Sequence, residues 1–222
     1  MNKSLIYILC FIFYKNVTAQ TNTHQSEYIN DVIESMVSHF EDTLCEYYNI
    51  DKESSHIAIA KFVEDSSKSF KRFDGFDKLI NKKSKALLAN SKKELDQYVW
   101  ITHKKRRHRA TPYLKSYSEL EPLALKELDS NTVRYLKYLE TKDKFITINY
   151  FDKFSKNIIR NVYNQDIEDL ILTFRETPDS GPSLVATALK NLTPLDFQNK
   201  AIKTFIAFEL YYSLLNLQST YE

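Results

Sequence analysis

Ala201 to Leu217 reads AIKTFIAFELYYSLLNL, and Lys203 and Glu209 are the only charged residues in it. At helical spacing, apolar or aromatic side chains then fall on every side. A helix with no polar face belongs at the centre of a fold or against another subunit. The central position fits this chain better, and a homo-oligomer contact through the same helix is the alternative. With a carboxylate at its middle, the stretch is too short and too polar to span a bilayer. An isolated buried carboxylate is strongly unfavourable, so Glu209 needs a partner, and Arg134, Arg160 and Arg175 are the candidates.

Amphipathic stripes surround that helix in the sequence. Between Ser26 and Asn49, Ile29, Val32, Ile33, Met36, Val37, Phe40 and Leu44 recur at three and four. Ser54-Ser55 opens a second helix with Ile59, Phe62, Val63, Phe70 and Phe73, which Asp74-Gly75 ends. Phe76, Leu79, Ile80, Leu87 and Leu88 form a third stripe. Ser91-x-x-Glu94 then reads as a capping box that carries helix on through Leu95, Tyr98, Val99 and Ile101 to a basic cluster before Thr111-Pro112. Leu120 to Leu128 and Val133 to Leu139 read as short helices, and Phe145 to Val162 as a longer one. Ile146-Thr147-Ile148 suits a strand equally, but a lone strand lacks a ladder partner in a chain so poor in hairpin signals, so helix is expected. Ile167, Leu170, Ile171 and Phe174 make the next stripe, broken by Thr177-Pro178-Asp179-Ser180-Gly181-Pro182. A short helix through Leu184 and Leu189 follows, and Thr193-Pro194-Leu195-Asp196 opens the final one. The expected fold is all-α, an irregular bundle of roughly seven to nine helices by this stripe count. It forms a single domain over 21–222, divisible into lobes 21–111 and 112–222 around a shared core.

Composition excludes much chemistry. The chain has 222 residues but only two glycines, Gly75 and Gly181, where average usage would give roughly 16. Phosphate-binding loops, dinucleotide-binding turns and nucleophile elbows all need glycine where φ is positive or where backbone meets a ligand. No H-E-x-x-H, C-x-x-C, S-x-x-K or G-x-S-x-G occurs. The five histidines are scattered, and His103 and His108 fall on different helix faces with cations between them, a poor metal site. No cofactor and no metal are expected.

The N-terminus reads as a cleavable secretion signal over residues 1–20. Lys3 precedes the uncharged apolar run Leu5 to Tyr14, and Val17-Thr18-Ala19 supplies the small-x-small pattern, with the cut after Ala19 or Gln20. The expected location is secreted or periplasmic. Cys10 leaves with the leader, so the mature chain keeps Cys45 alone and forms no internal disulfide. His39 lies six residues before Cys45, but Cys45 borders an apolar stripe and reads as a buried, inert thiol.

Removing Lys3 and Lys15 brings the formal charge to zero, yet the charges are segregated. Residues 21–60 hold one basic and eight acidic side chains; residues 61–115 hold sixteen basic and six acidic. The peak is His103-Lys104-Lys105-Arg106-Arg107-His108-Arg109. One reading is structural: cations at a helix C-terminus complement the macrodipole, and Glu34, Glu41 and Asp42 on the first helix lie across from them. The functional reading makes Lys104, Lys105, Arg106, Arg107 and Arg109 a site for an anionic surface or an acidic protein in the cell envelope. Nucleic acid is disfavoured by the zero net charge.

Phe174-Arg175-Glu176-Thr177-Pro178-Asp179-Ser180-Gly181 resembles a motif of small secreted bacterial helical proteins of unknown function. In those a helix ends in an aromatic pair, one residue, Ser or Thr, then Pro, one residue and Gly. Arg175 here replaces the second aromatic, and one extra residue separates Pro178 from Gly181. The resemblance implies a compact helical lobe and carries no functional residue. The expected role is therefore a non-enzymatic interaction or scaffold module. The alternative is a hydrolase-type enzyme using dispersed carboxylates such as Asp166, Glu168 and Asp169.

Overall fold

The structure is a computed structural model that describes residues 3–68, 76–122, 126–177 and 182–221, with side chains described over 25–68, 76–122, 126–177 and 184–218. Gly75, Gly181 and most of the Thr177–Pro182 break lie outside the described residues, as do the side chains of the leader-like segment.

The fold is all-α with one small sheet. Helix α1 runs over Lys3–Tyr48, and α2 over Ser55–Lys68 after a 3₁₀ turn at Lys52–Ser54. Then come α3 (Phe76–Leu79), α4 (Lys82–Glu94), strand β1 (Trp100–Thr102) and α5 (His103–Ala110). After a 3₁₀ turn at Tyr117–Glu119 follow α6 (Ser130–Lys142), strand β2 (Ile146–Ile148), α7 (Lys153–Val162), α8 (Gln165–Glu176) and α9 (Pro182–Leu189). The final helix is composite: α10 (Lys200–Ile206), a π-helical segment (Ala207–Tyr212) and α11 (Ser213–Tyr221). No helix among the described residues is long and apolar enough to cross a membrane.

The composite helix is the axis of the core. Every residue from Thr204 to Tyr212 is buried. The π segment widens one turn, and its aromatics lock the surrounding helices in place. Tyr211 packs its ring on Phe40, Phe62 and Phe76, and its hydroxyl donates to the Leu79 carbonyl at 2.9 Å. Tyr212 donates to the Met36 carbonyl at 3.0 Å, and Phe208 packs between Trp100 and Phe154. One apolar cluster runs from Met36 to Leu215 and draws on both halves of the chain.

Local chemistry corrects several sequence expectations. Ser91 sits inside α4 and caps nothing: its hydroxyl donates to the Leu88 carbonyl and accepts from Trp100 Nε1 at 3.2 Å. The chain turns at Gln97, whose φ is 62°, so helix does not continue through Ile101. Trp100–Thr102 instead pairs antiparallel with Ile146–Ile148, with Ile101 opposite Thr147. The strand option at Ile146–Ile148 is thus the realised one; its partner comes from far along the chain and needs no hairpin turn. Asn49 and Tyr163 also have positive φ, so a glycine-poor chain makes left-handed turns with other residues. Thr193 and Asp196 close only a 3₁₀ turn; the last helix is capped by Asn199, which accepts from the Ala201 and Ile202 amides.

Candidate functional site

The basic cluster forms a separate short helix, α5, and does not end a longer one. Thr102 caps it by accepting from the Lys105 amide. Its buried stripe is His103, Arg106 and Arg107, while Lys104, Lys105, His108 and Arg109 are exposed. Two of the five residues expected to meet an anionic partner, Arg106 and Arg107, are therefore core residues, at 1% and 0% exposure.

Arg107 is held by carboxylates. Nε and one terminal nitrogen grip Asp143 at 3.2 and 2.8 Å, the same terminal nitrogen reaches Glu119 Oε2 at 3.1 Å, and the Leu114 carbonyl takes the other. Such bidentate, charge-assisted pairing is what allows burial of a guanidinium. Glu119 also receives Lys104 at 2.8 Å, His108 at 2.9 Å and the Ser116 amide and hydroxyl. Burial alone would raise its carboxyl, but the Lys104, Ser116 and Arg107 hydrogen bonds outweigh that and hold it well below the usual range. The carboxylates expected across from the cluster are engaged elsewhere. Glu34 pairs with Lys200, Glu41 with Lys203 and Asp42 with Lys52.

Arg106 points the opposite way, into the core. It donates to Thr147 Oγ1 at 2.8 Å and to the Phe174 carbonyl at 2.7 Å, and its guanidinium lies 4.7 Å from the Tyr150 ring centre. Strand β2 thus presents Thr147 to it, and the end of α8 presents a carbonyl. Beyond it lies Glu209, 4% exposed, on the π segment. Arg134 and Arg160 are exposed and Arg175 pairs with Glu176, so none of the three candidates from the sequence serves it; the positive charge that bears on its carboxyl is that of Arg106, without a direct ion pair. Glu209 Oε2, Tyr150 Oη and Arg106 Nε close no hydrogen bond of ordinary length, although the phenol is near enough to steady the carboxylate. Burial dominates: it pushes the Glu209 carboxyl up to about 7, with Arg106 and Tyr150 offsetting only part of the rise. Burial and the Glu209 charge likewise lift the Tyr150 phenol far above its ordinary value.

The remaining candidates are dispersed. Asp166, Glu168 and Asp169 lie in the first turns of α8, where acids complement the helix dipole, and Asp166 and Asp169 face solvent. His39 and Cys45 do not meet: His39 Nε2 bonds Ser84 Oγ at 3.0 Å, and burial raises the Cys45 thiol. Among the described residues no group of three or more His, Cys, Asp or Glu side chains is placed to hold a metal ion.

Sequence reasoning missed a cleft of about 410 Å³ between α1, α7 and α10. Ile33, Phe154, Ile158 and Ala201 give it an apolar floor, and Asn30, Tyr98, Asn157 and Asn161 a polar rim. The Asn161 amide nitrogen donates to the Asn157 carbonyl and side-chain oxygens at 2.7 and 3.1 Å, which sets the rim of α7. Asn199 bridges from α10 to the end of α7 through the Asn161 and Val162 carbonyls. No motif marks this site, because its polar members are scattered over three helices and a turn that lie far apart in the sequence.

No family model matches the chain, and comparison with curated proteins and with solved structures finds no similar protein.

Proposed function

We propose that the protein is a non-catalytic helical binding module that acts outside the cytoplasm, with the cleft between α1, α7 and α10 as its recognition site. One observation carries this reading: the molecule separates its reactive electrostatics from its accessible surface. Glu209, Tyr150 and Arg106, whose arrangement raises the carboxyl so strongly, are closed into the core. None of them lines the cleft, which offers an apolar floor, neutral hydrogen-bonding groups and one ion pair, Glu34 with Lys200, instead. An apolar surface with a few convergent polar groups is the ordinary make-up of a ligand site. The leader-like order of Lys3, the apolar run Leu5 to Tyr14 and Ala19 supports an extracytoplasmic location.

A nuclear magnetic resonance screen with small uncharged fragments tests the reading. Shift changes are expected to concentrate at Asn30, Tyr98, Asn157 and Asn161. Hits that spread over the surface without favouring these residues would contradict it.

Docking of an anionic surface on α5 is a second reading, favoured by Lys105, whose ammonium, among the described residues, meets the neutral Gln97 side chain at 3.1 Å and no carboxylate. It would use Lys104, Lys105 and Arg109, the exposed members of the cluster.

A further inference from the structure

The cleft has features that narrow its ligand. Its two charged lining residues, Glu34 and Lys200, are paired with each other across α1 and α10. The rim therefore presents no uncompensated charge to a ligand, and a charged ligand would have to break that pair or be desolvated without a partner.

The hydrogen-bonding capacity left over is mixed. Among the described residues the Asn30 side chain has no hydrogen-bond partner, while its backbone belongs to α1. Asn157 uses its side-chain oxygen as an acceptor and keeps its NH₂ group. Asn161 uses its NH₂ group and keeps its oxygen. Tyr98 brings a half-buried hydroxyl, lifted above its ordinary value by burial and so a neutral donor and acceptor. The cleft thus offers both donors and acceptors, and an amide carries one of each whichever way it is turned. Asn157 and Asn161 stand one turn apart on α7, about 6 Å between their β-carbons. A hydroxyl both donates and accepts, so a ligand carrying several hydroxyls on a small ring matches this pattern without leaving an orphan group.

The floor supplies the other half of the match. Phe154 and Ile158, each 4% exposed, close the apolar base of the cleft, and the half-buried Tyr98 brings an aromatic ring beside those amides. A ring with C–H groups on its faces and hydroxyls at its edge satisfies both surfaces at once. The volume, about 410 Å³, lies at the lower end of the range for small-ligand pockets. It suits one or two sugar rings.

From these features we infer that the cleft binds an uncharged mono- or disaccharide, with Asn30, Asn157, Asn161 and Tyr98 holding hydroxyls above an apolar base closed by Phe154 and Ile158. The inference rests on the reading of the cleft as the recognition site and adds the ligand class to it.

The test titrates the full chain with maltose, cellobiose, lactose and diacetylchitobiose, with glucuronic acid as a charged control, while observing side-chain amide signals. At least one neutral sugar is expected to shift the Asn157 and Asn161 amides saturably, and glucuronic acid to bind at least tenfold more weakly. Asn157→Ala, on an exposed helix face, is expected to lower affinity about tenfold, one lost hydrogen-bonding pair, while the helical circular dichroism stays unchanged. If no neutral sugar moves those amides, or if glucuronic acid binds equally well, the ligand class is overturned. An uncharged fragment that still binds there would then leave the recognition site standing; the absence of both would remove it as well.

Discussion

Arg106 and Arg107 are neighbours on α5 and equally buried, yet they occupy opposite electrostatic situations. Arg107 faces outward to a ring of two carboxylates, and one of them, Glu119, is tied by four further donors. Arg106 faces inward to a single carboxyl, Glu209, that burial drives toward its neutral form. Adjacent residues of the same type thus teach that burial alone does not define a buried charge. The number and ionisation of its partners do.

Methionine substitutions test that contrast, since methionine keeps most of the stem volume. Arg107→Met leaves Asp143 and Glu119 without their shared cation, and is expected to cost about 3–5 kcal/mol of stability. Arg106→Met is expected to cost about 1–3 kcal/mol, because Glu209 can take up a proton while the Phe174 carbonyl loses its donor. Equal costs, measured by denaturant unfolding at pH 7, would break the distinction. The smallest effect belongs to the exposed side of the helix. Replacing Lys104, Lys105 and Arg109 together by Gln is expected to change stability by no more than about 1 kcal/mol. The same variant is expected to abolish binding to anionic vesicles at low salt if α5 docks there; undiminished binding would remove that reading.

The elements that the sequence made legible are those where apolar spacing carries the information. Met36, Val37, Phe40 and Leu44 line the buried face of α1, and Ala201 to Leu217 forms the core axis, as the stripes imply. The stripe of α5 was illegible because His103, Arg106 and Arg107 have helical spacing but polar side chains, so hydrophobic periodicity passes over them. Their burial depends on partners distant in sequence, Asp143, Thr147 and Phe174, that no local pattern announces. Glu119 did leave a signal: Ser116-x-x-Glu119 is a capping box, and the structure closes it. Glycine scarcity does not bar left-handed turns, since Asn49, Gln97 and Tyr163 take those conformations themselves. The cleft was hidden for the same reason as the arginines. Asn30, Tyr98 and Asn157 are brought together only by tertiary packing.

The measurement that bears most directly on the account is unfolding free energy against pH for the wild type and Glu209→Gln. The folded carboxyl titrates near 7 and the unfolded one near 4.5, so the folded state holds the extra proton between those values. Its contribution is fully present below about pH 4.5 and is lost as pH rises to 7, a fall of about 3 kcal/mol. This fall is expected in the wild type and is absent in Glu209→Gln. Parallel curves for the two proteins over that window would contradict the placement of Glu209 as a buried, largely neutral partner of Arg106.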